Sequence, residues 1–200
     1  MKYDDLRAEA DKFLVEFHPD LKLPIPIEET AEWDFEIDLI PLDGLQIDSG
    51  VDAFLTNDLT AIYVDAFVME HRPRRLRFTI AHELAHYWLH DVLYQETKIT
   101  RMRDWQETQE AMPEEDFYWF EWQANNLAGL ILVPPNQLRD HFDMVVLDAD
   151  NRGLPRDILF SEVGKPFVLD ELSNVFEVSN DVIEIRLHKD GLWNFPAPPT

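Results

Sequence analysis

The feature that most constrains the fold is the pentapeptide His82-Glu83-Leu84-Ala85-His86, which lies in a segment free of helix breakers. Pro73 suits the first turn of a helix, and residues 74–90 contain neither Gly nor Pro. The pattern therefore predicts a helix over about residues 73–91. Positions four apart on a helix lie on one face, about 5–6 Å apart, so His82 and His86 can ligate one metal ion.

Glu83 follows His82 by one position and therefore points about 100° further around the helix. At that angle its carboxylate flanks the metal ion without ligating it, where it can take a proton from a metal-bound water. This His-Glu-x-x-His arrangement is typical of zinc hydrolases. We therefore predict His82 and His86 as ligands of Zn²⁺ and Glu83 as the catalytic general base.

A catalytic zinc site needs a third protein ligand, and the chain has no cysteine to supply one. His90 is excluded, because eight residues of helix rise about 12 Å and carry it too far from His82. Glu121 lies among aromatic residues, where a buried carboxylate costs several kcal/mol without a partner such as a dication. We predict Glu121 as the third ligand, with Asn125 one turn on to orient it. The alternative is an ion pair of Glu121 with an arginine, Arg74, Arg75, Arg77 or Arg101.

The remaining pattern predicts an α+β fold whose C-terminal part is helical. Helices are predicted at 4–17, 27–33, 117–133, 137–143 and 155–160, and as a pair within 169–192. Strands are predicted at 35–41, 52–56 and 59–64, the last two forming a hairpin around Asn57-Asp58. Residues 95–116 read as a surface loop with some helix. We expect residues 1–168 to form the metal-binding domain, and residues 169–200 a helix pair and loose tail packed on it.

The net charge of the protein limits the kinds of molecule that it can bind. With 17 basic and 40 acidic residues, the formal net charge is −23. A protein this acidic repels phosphate backbones and anionic membranes. The predicted helix 180–190 is acidic too, whereas a recognition helix should be basic. The N-terminus lacks an apolar signal region, and the longest apolar run, 127–133, is too short to cross a bilayer. We expect a cytoplasmic protein that binds neither nucleic acid nor membranes.

The sequence does not decide the roles of two groups of residues. The arginines before the motif, Arg72, Arg74, Arg75 and Arg77, fit ion pairing with the protein's own acids or contact with an acidic substrate segment. A peptidase also needs a donor to stabilise the oxyanion of its transition state. The candidate donors are Tyr63, Tyr87, Tyr94, Tyr118, His90 and His141.

These motifs together resemble the ImmA/IrrE family of metallopeptidases. The resemblance rests on the run from Arg77 to His86, on Glu121-x-x-Ala124-Asn125-x-x-Ala128, and on Leu130-Ile131-Leu132-Val133-Pro134. It implies a zincin-like fold, in which a small twisted sheet packs on the motif helix and a second helix supplies a ligand. It also implies intracellular cleavage of a helix-turn-helix repressor, often encoded beside the protease, in mobile elements or stress responses.

Two main hypotheses follow from the residues and the resemblance, and direct DNA binding is a weaker third. The first is a zinc metalloendopeptidase that makes limited cuts in a helix-turn-helix repressor, with the substrate lying along Leu59–Val64 as the edge strand of the sheet. The negative charge agrees with it, because a basic repressor would be steered towards an acidic protease. The second is a non-catalytic zinc-binding regulator that controls a transcription factor by direct contact.

Overall fold

A computed structural model of the protein describes residues 1–96 and 99–193. The N-terminal half contains α1 (Tyr3–Phe17), α2 (Ile27–Glu29), a π-helix (Thr30–Asp34), β1 (Asp38–Leu42), α3 (Leu45–Ser49), β2 (Ala53–Leu55), β3 (Ala61–Asp65), α4 (Ala66–His71) and α5 (Pro73–Glu96). The C-terminal half contains α6 (Met102–Ala111), α7 (Glu114–Leu132), α8 (Pro135–Asn151), α9 (Arg156–Leu159), α10 (Lys165–Phe176) and α11 (Asn180–Lys189). The fold is mostly helical with a small mixed sheet, as the α+β prediction required. Within the described ranges, no helix has the length and apolar character needed to cross a bilayer.

The three described strands pair in the order β1-β3-β2. β3 runs parallel to β1 and antiparallel to β2, which confirms the predicted hairpin. The prediction that Leu59–Val64 is an edge strand is wrong, because β3 has a partner on each side. Its near-continuous apolar run is typical of a central strand, whereas Pro41 in β1 fits an edge, since proline lacks the N–H that a second partner would need.

Small residues allow the two long central helices to pack closely. α5 packs on α7, and α1 covers α7 from another side. Ala81 and Ala85 on α5, and Ala124 and Ala128 on α7, are fully buried. The predicted role of the two α7 alanines as a smooth packing face is consistent with this arrangement.

The helices that the sequence pattern underestimates are short or are held by tertiary contacts. α4 begins at Asp65, whose carboxylate accepts hydrogen bonds from the backbone N–H groups of Phe67 and Val68. The same carboxylate accepts one from Gln46 at the start of α3. Neither contact is visible in local periodicity, so both helices were absent from the prediction.

The C-terminal helix pair is present as α10 and α11, joined at Glu177 to Ser179. α10 packs on α8, and α11 contacts α7. Since α10 begins at Lys165, the predicted boundary between residues 168 and 169 falls inside a helix. The predicted loose tail, residues 196–200, lies outside the described residues.

Candidate metal centre

Two neighbouring helices bring the three predicted ligands together. α5 places the Nε2 atoms of His82 and His86 3.0 Å apart. α7 places Glu121 against them, with its Oε2 3.3 Å from His82 Nε2 and its Oε1 3.5 Å from His86 Nε2. The donor atoms of this group all lie within 4.8 Å of one another.

These separations fit a single small divalent cation. Four ligands at about 2.0–2.1 Å in a tetrahedron lie about 3.3–3.4 Å from one another, close to the observed 3.0–3.5 Å. His86 is only 2% exposed, so two imidazole lone pairs turned towards each other need a proton or a cation between them. The three side chains could therefore hold a metal ion.

The charges of the three residues are strongly coupled. Burial lowers the pKa of His82, but the hydrogen bond and charge of Glu121 outweigh it, so the net shift is upwards. For His86 burial dominates and lowers the pKa to about 3, so its imidazole is neutral. Burial raises the pKa of Glu121, but its contacts with His82 and His86 reverse this and hold it well below its usual range. A neutral His86 and an ionised Glu121 are the forms that ligate metals.

Glu83 lies in the same cleft, which has a volume of about 310 Å³. Burial raises its pKa to about 7, against the opposing charge of His82 and a backbone hydrogen bond from Leu55 of β2. A dication among the three predicted ligands would favour the carboxylate and lower this pKa again. Glu83 is therefore a buried carboxyl group suited to exchange a proton near neutral pH.

A third histidine, His90, contacts His86, and the sequence pattern did not predict this contact. The Nδ1 atoms of His86 and His90 lie 3.1 Å apart. Phe120 of α7 stacks on both rings, with centroid distances of 4.2 and 4.3 Å. The backbone of α5 is non-helical at His90, so the helix bends where this contact forms. The spacing of four residues between His86 and His90 was the available signal.

Asn125 makes the contacts expected of an orienting residue. It donates a side-chain hydrogen bond to the backbone carbonyl of Glu121, at 2.9 Å. It also forms a side-chain hydrogen bond with His82. Asn125 therefore contacts two of the predicted ligands, and its orienting role stays a prediction.

The cleft has a wall from the sheet and a wall from the helices. Asp52 and Ala53, at the start of β2, line one side. Tyr94 of α5 and Trp105 of α6 line the other. Among the six candidate oxyanion donors, Tyr94 is the one that lines this cleft. The other five lie elsewhere. Tyr63 stacks on Phe54, Tyr87 lines a different cleft, and Tyr118 is exposed. His90 contacts His86, and His141 makes an edge-to-face contact with Phe176.

Three of the four arginines before the motif bind other polar side chains of the protein, and Arg72 lies over the ring of Phe67. Arg75 binds Asp52 through two hydrogen bonds of 2.5 and 2.9 Å. Arg77 is buried and binds Glu28 at 3.0 Å. Arg74 donates to Ser173 and Asn174. Since Glu121 faces the two histidines and these arginines have other partners, the geometry does not favour an Arg–Glu121 pair.

Comparison with known proteins agrees with this geometry. Residues 67–188 match the model of the peptidase M78 family, described as an IrrE N-terminal-like domain. The chain belongs to this family. The matched segment contains both motif helices and places the protein among the ImmA/IrrE-type metallopeptidases.

A solved structure has a similar fold. A Mycobacterium tuberculosis transcriptional regulator superposes with a TM-score of 0.56 and 18% sequence identity, over 92% of this chain. At that identity the likeness concerns the fold. The present chain spans 46% of the length of that regulator. No curated protein matches the chain significantly in sequence.

Proposed function

We propose that the protein is a zinc-dependent metalloendopeptidase with a zincin-like active site. The observation that carries the proposal is the arrangement of His82, His86 and Glu121 around one point, with Glu83 buried in the same cleft. Two imidazoles and one carboxylate are the protein ligands of several zinc peptidases.

The chemistry of these side chains suggests a role for each residue of the proposed active site. Zn²⁺ held by His82, His86 and Glu121 would activate a water molecule and polarise the scissile carbonyl. Glu83 accepts a proton at its carboxylate and returns it to the nitrogen of the leaving amine. Tyr94, which lines the cleft, donates a hydrogen bond to the oxyanion. His90 and Asn125 keep the ligands in position.

The substrate segment lies along β2 and not along β3. β2 is at one end of the described sheet, and the residues at its start, Asp52 and Ala53, line the cleft. An extended peptide can add to such an edge through main-chain hydrogen bonds. The backbone of Leu55, which contacts Glu83, ties this strand to the proposed general base.

A helix-turn-helix repressor is the substrate class we propose. The net charge of −23 steers basic partners towards the protein and disfavours acidic ones. DNA-binding repressors are basic, and a short linker between their domains can present an extended strand. The proposed activity is a limited cut at one or a few sites, in the cytoplasm, without direct binding to nucleic acid.

The test is cleavage of a repressor encoded beside this gene, read by mass spectrometry with wild-type protein and the Glu83→Gln variant. Glu83→Gln should keep its zinc and lose cleavage. An intact repressor with wild-type protein, or equal cleavage by both proteins, contradicts the proposal. If the repressor stays intact but leaves its operator, a non-catalytic regulator acting by contact is the better account.

A further inference from the structure

A second cleft lies on the face of α5 that turns away from the metal centre. Trp88 of α5 is two residues past His86 and therefore about 200° around the helix from it. The cleft has a volume of about 490 Å³, within the range of about 300–1,000 Å³ for small-ligand sites. We call it the back cleft. Its walls come from the end of α1, the end of the π-helix, and α5, and its lining residues are Glu16, Phe17, Asp34, Phe35, Glu36, Tyr87, Trp88 and Asp91.

The floor of the back cleft is a continuous row of aromatic rings. Phe35 lies 4.9 Å from both Phe17 and Tyr87, measured between ring centroids. Phe17 in turn lies 6.0 Å from Trp88. All four rings are half-buried, and the fully buried Phe13 packs against Phe17, Phe35 and Trp88. Each ring face carries the partial negative charge that attracts a cation.

The rim of the back cleft carries only acidic charge. Glu16, Asp34 and Glu36 are exposed, and Asp91 is half-buried. Among the residues that the structure describes, none of these four carboxylates forms an ion pair of 4.0 Å or less. The lining includes no basic side chain; the neighbouring Lys12 pairs with Glu9, which accepts a hydrogen bond from the Trp88 indole N–H.

We propose that the back cleft binds an arginine or lysine side chain of a basic protein partner. The aromatic floor and the acidic rim are separate features, and both favour an organic cation: the rings by cation–π contact and the carboxylates by charge-assisted hydrogen bonds. The exposed rim lets a side chain enter while the backbone that carries it stays outside. The net charge of −23 brings a basic protein, more than a neutral one, to this surface.

This inference goes beyond the proposed function and does not depend on it. The back cleft shares no lining residue with the metal cleft, so a partner can dock there whether or not it is cut. Binding at this site can also be measured without any catalytic step. Failure of one proposal is therefore distinguishable from failure of the other.

The test is an NMR titration of the full-length ¹⁵N-labelled protein with N-acetyl-arginine amide at physiological ionic strength. The readout is the indole N–H of Trp88, assigned with the Trp88→Phe variant. N-acetyl-citrulline amide, which has nearly the same shape and no charge, is the control ligand. We expect the arginine derivative, and not the citrulline derivative, to shift the Trp88 signal to saturation.

Matched variants locate the binding. Glu36→Gln combined with Asp91→Asn should weaken binding about tenfold, through lost charge-assisted contacts. Asp140→Asn combined with Glu171→Gln removes the same charge from exposed positions on α8 and α10, and should leave binding unchanged because distant charges are screened. Equal binding of both ligands, or equal weakening by both double variants, overturns the proposal. Binding of spermidine without binding of the arginine derivative also overturns it, since the site would then take a free polyamine.

Discussion

The two faces of α5 place carboxylates in opposite surroundings. On the metal face, Glu83 is buried and Glu121 contacts two histidines. On the back face, Glu36 and Asp91 lie at the rim of a row of aromatic rings, and the residues that line this cleft include no basic side chain. Burying a charge costs several kcal/mol, so the fold must supply its compensation. An exposed charge costs little to leave unpaired and remains free to attract a partner.

The largest expected effect is on the metal face. Glu121→Ala should lower zinc affinity by more than the roughly 10–100-fold that loss of an orienting residue costs, because a direct ligand is removed. Competition titration with a chelator, with elemental analysis after dialysis, measures this. Glu114→Ala, an exposed acid at the start of the same helix, is the matched control. Full zinc occupancy in Glu121→Ala would remove Glu121 from the site.

Loss of the orienting histidine should have a smaller effect of the same kind. His90→Ala should weaken zinc binding about 10–100-fold, because His86 loses the contact of its second ring nitrogen. His141→Ala alters a histidine that contacts Phe176 edge to face and should leave affinity unchanged. Equal affinities for the His90→Ala and wild-type proteins would show that His90 does not position His86.

The metal face was largely predictable from sequence, and the back cleft was not. The histidines are four residues apart on one helix, so local geometry alone puts them together. Glu121 could be found because an acid amid aromatic residues requires a partner. The back cleft joins side chains from residues 16–17, 34–36 and 87–91, and no local period links these segments. The error about β3 has the same origin, since the order of strands depends on tertiary pairing.

Neutralising the back cleft should barely change stability. Glu36→Gln with Asp91→Asn should alter the free energy of unfolding by no more than about 0.5 kcal/mol, towards stabilisation, because like charges at the rim repel. The Glu121→Gln protein, measured with zinc present, should show a clearly lower free energy of unfolding than the wild-type protein, since metal-binding energy is also folding energy. Urea denaturation of the variants and the wild-type protein measures both. A clear loss of stability in the back-cleft variant would mean that its carboxylates stabilise the fold.

The smallest effect concerns pH and a histidine near the back cleft. His18 is buried beside Phe13 and bonded to Thr30, and burial lowers its pKa below the ordinary 6.5. As the pH falls below 6.5, His18 is therefore protonated in the unfolded chain before it is protonated in the folded protein. The contribution of His18 to stability is fully present above pH 6.5 and declines below it. His18→Asn should show a shallower decline, seen by denaturation of zinc-loaded proteins between pH 7 and 5. Parallel curves would mean that His18 does not contribute.

The central claim is that two histidines and one carboxylate hold zinc on one face of α5. X-ray absorption spectroscopy of the zinc-loaded protein tests it most directly. The account predicts two imidazole ligands at about 2.0–2.1 Å, the remainder oxygen, and no change in the imidazole number in His90→Ala. Three imidazole ligands in the wild-type protein, falling to two in His90→Ala, would contradict it.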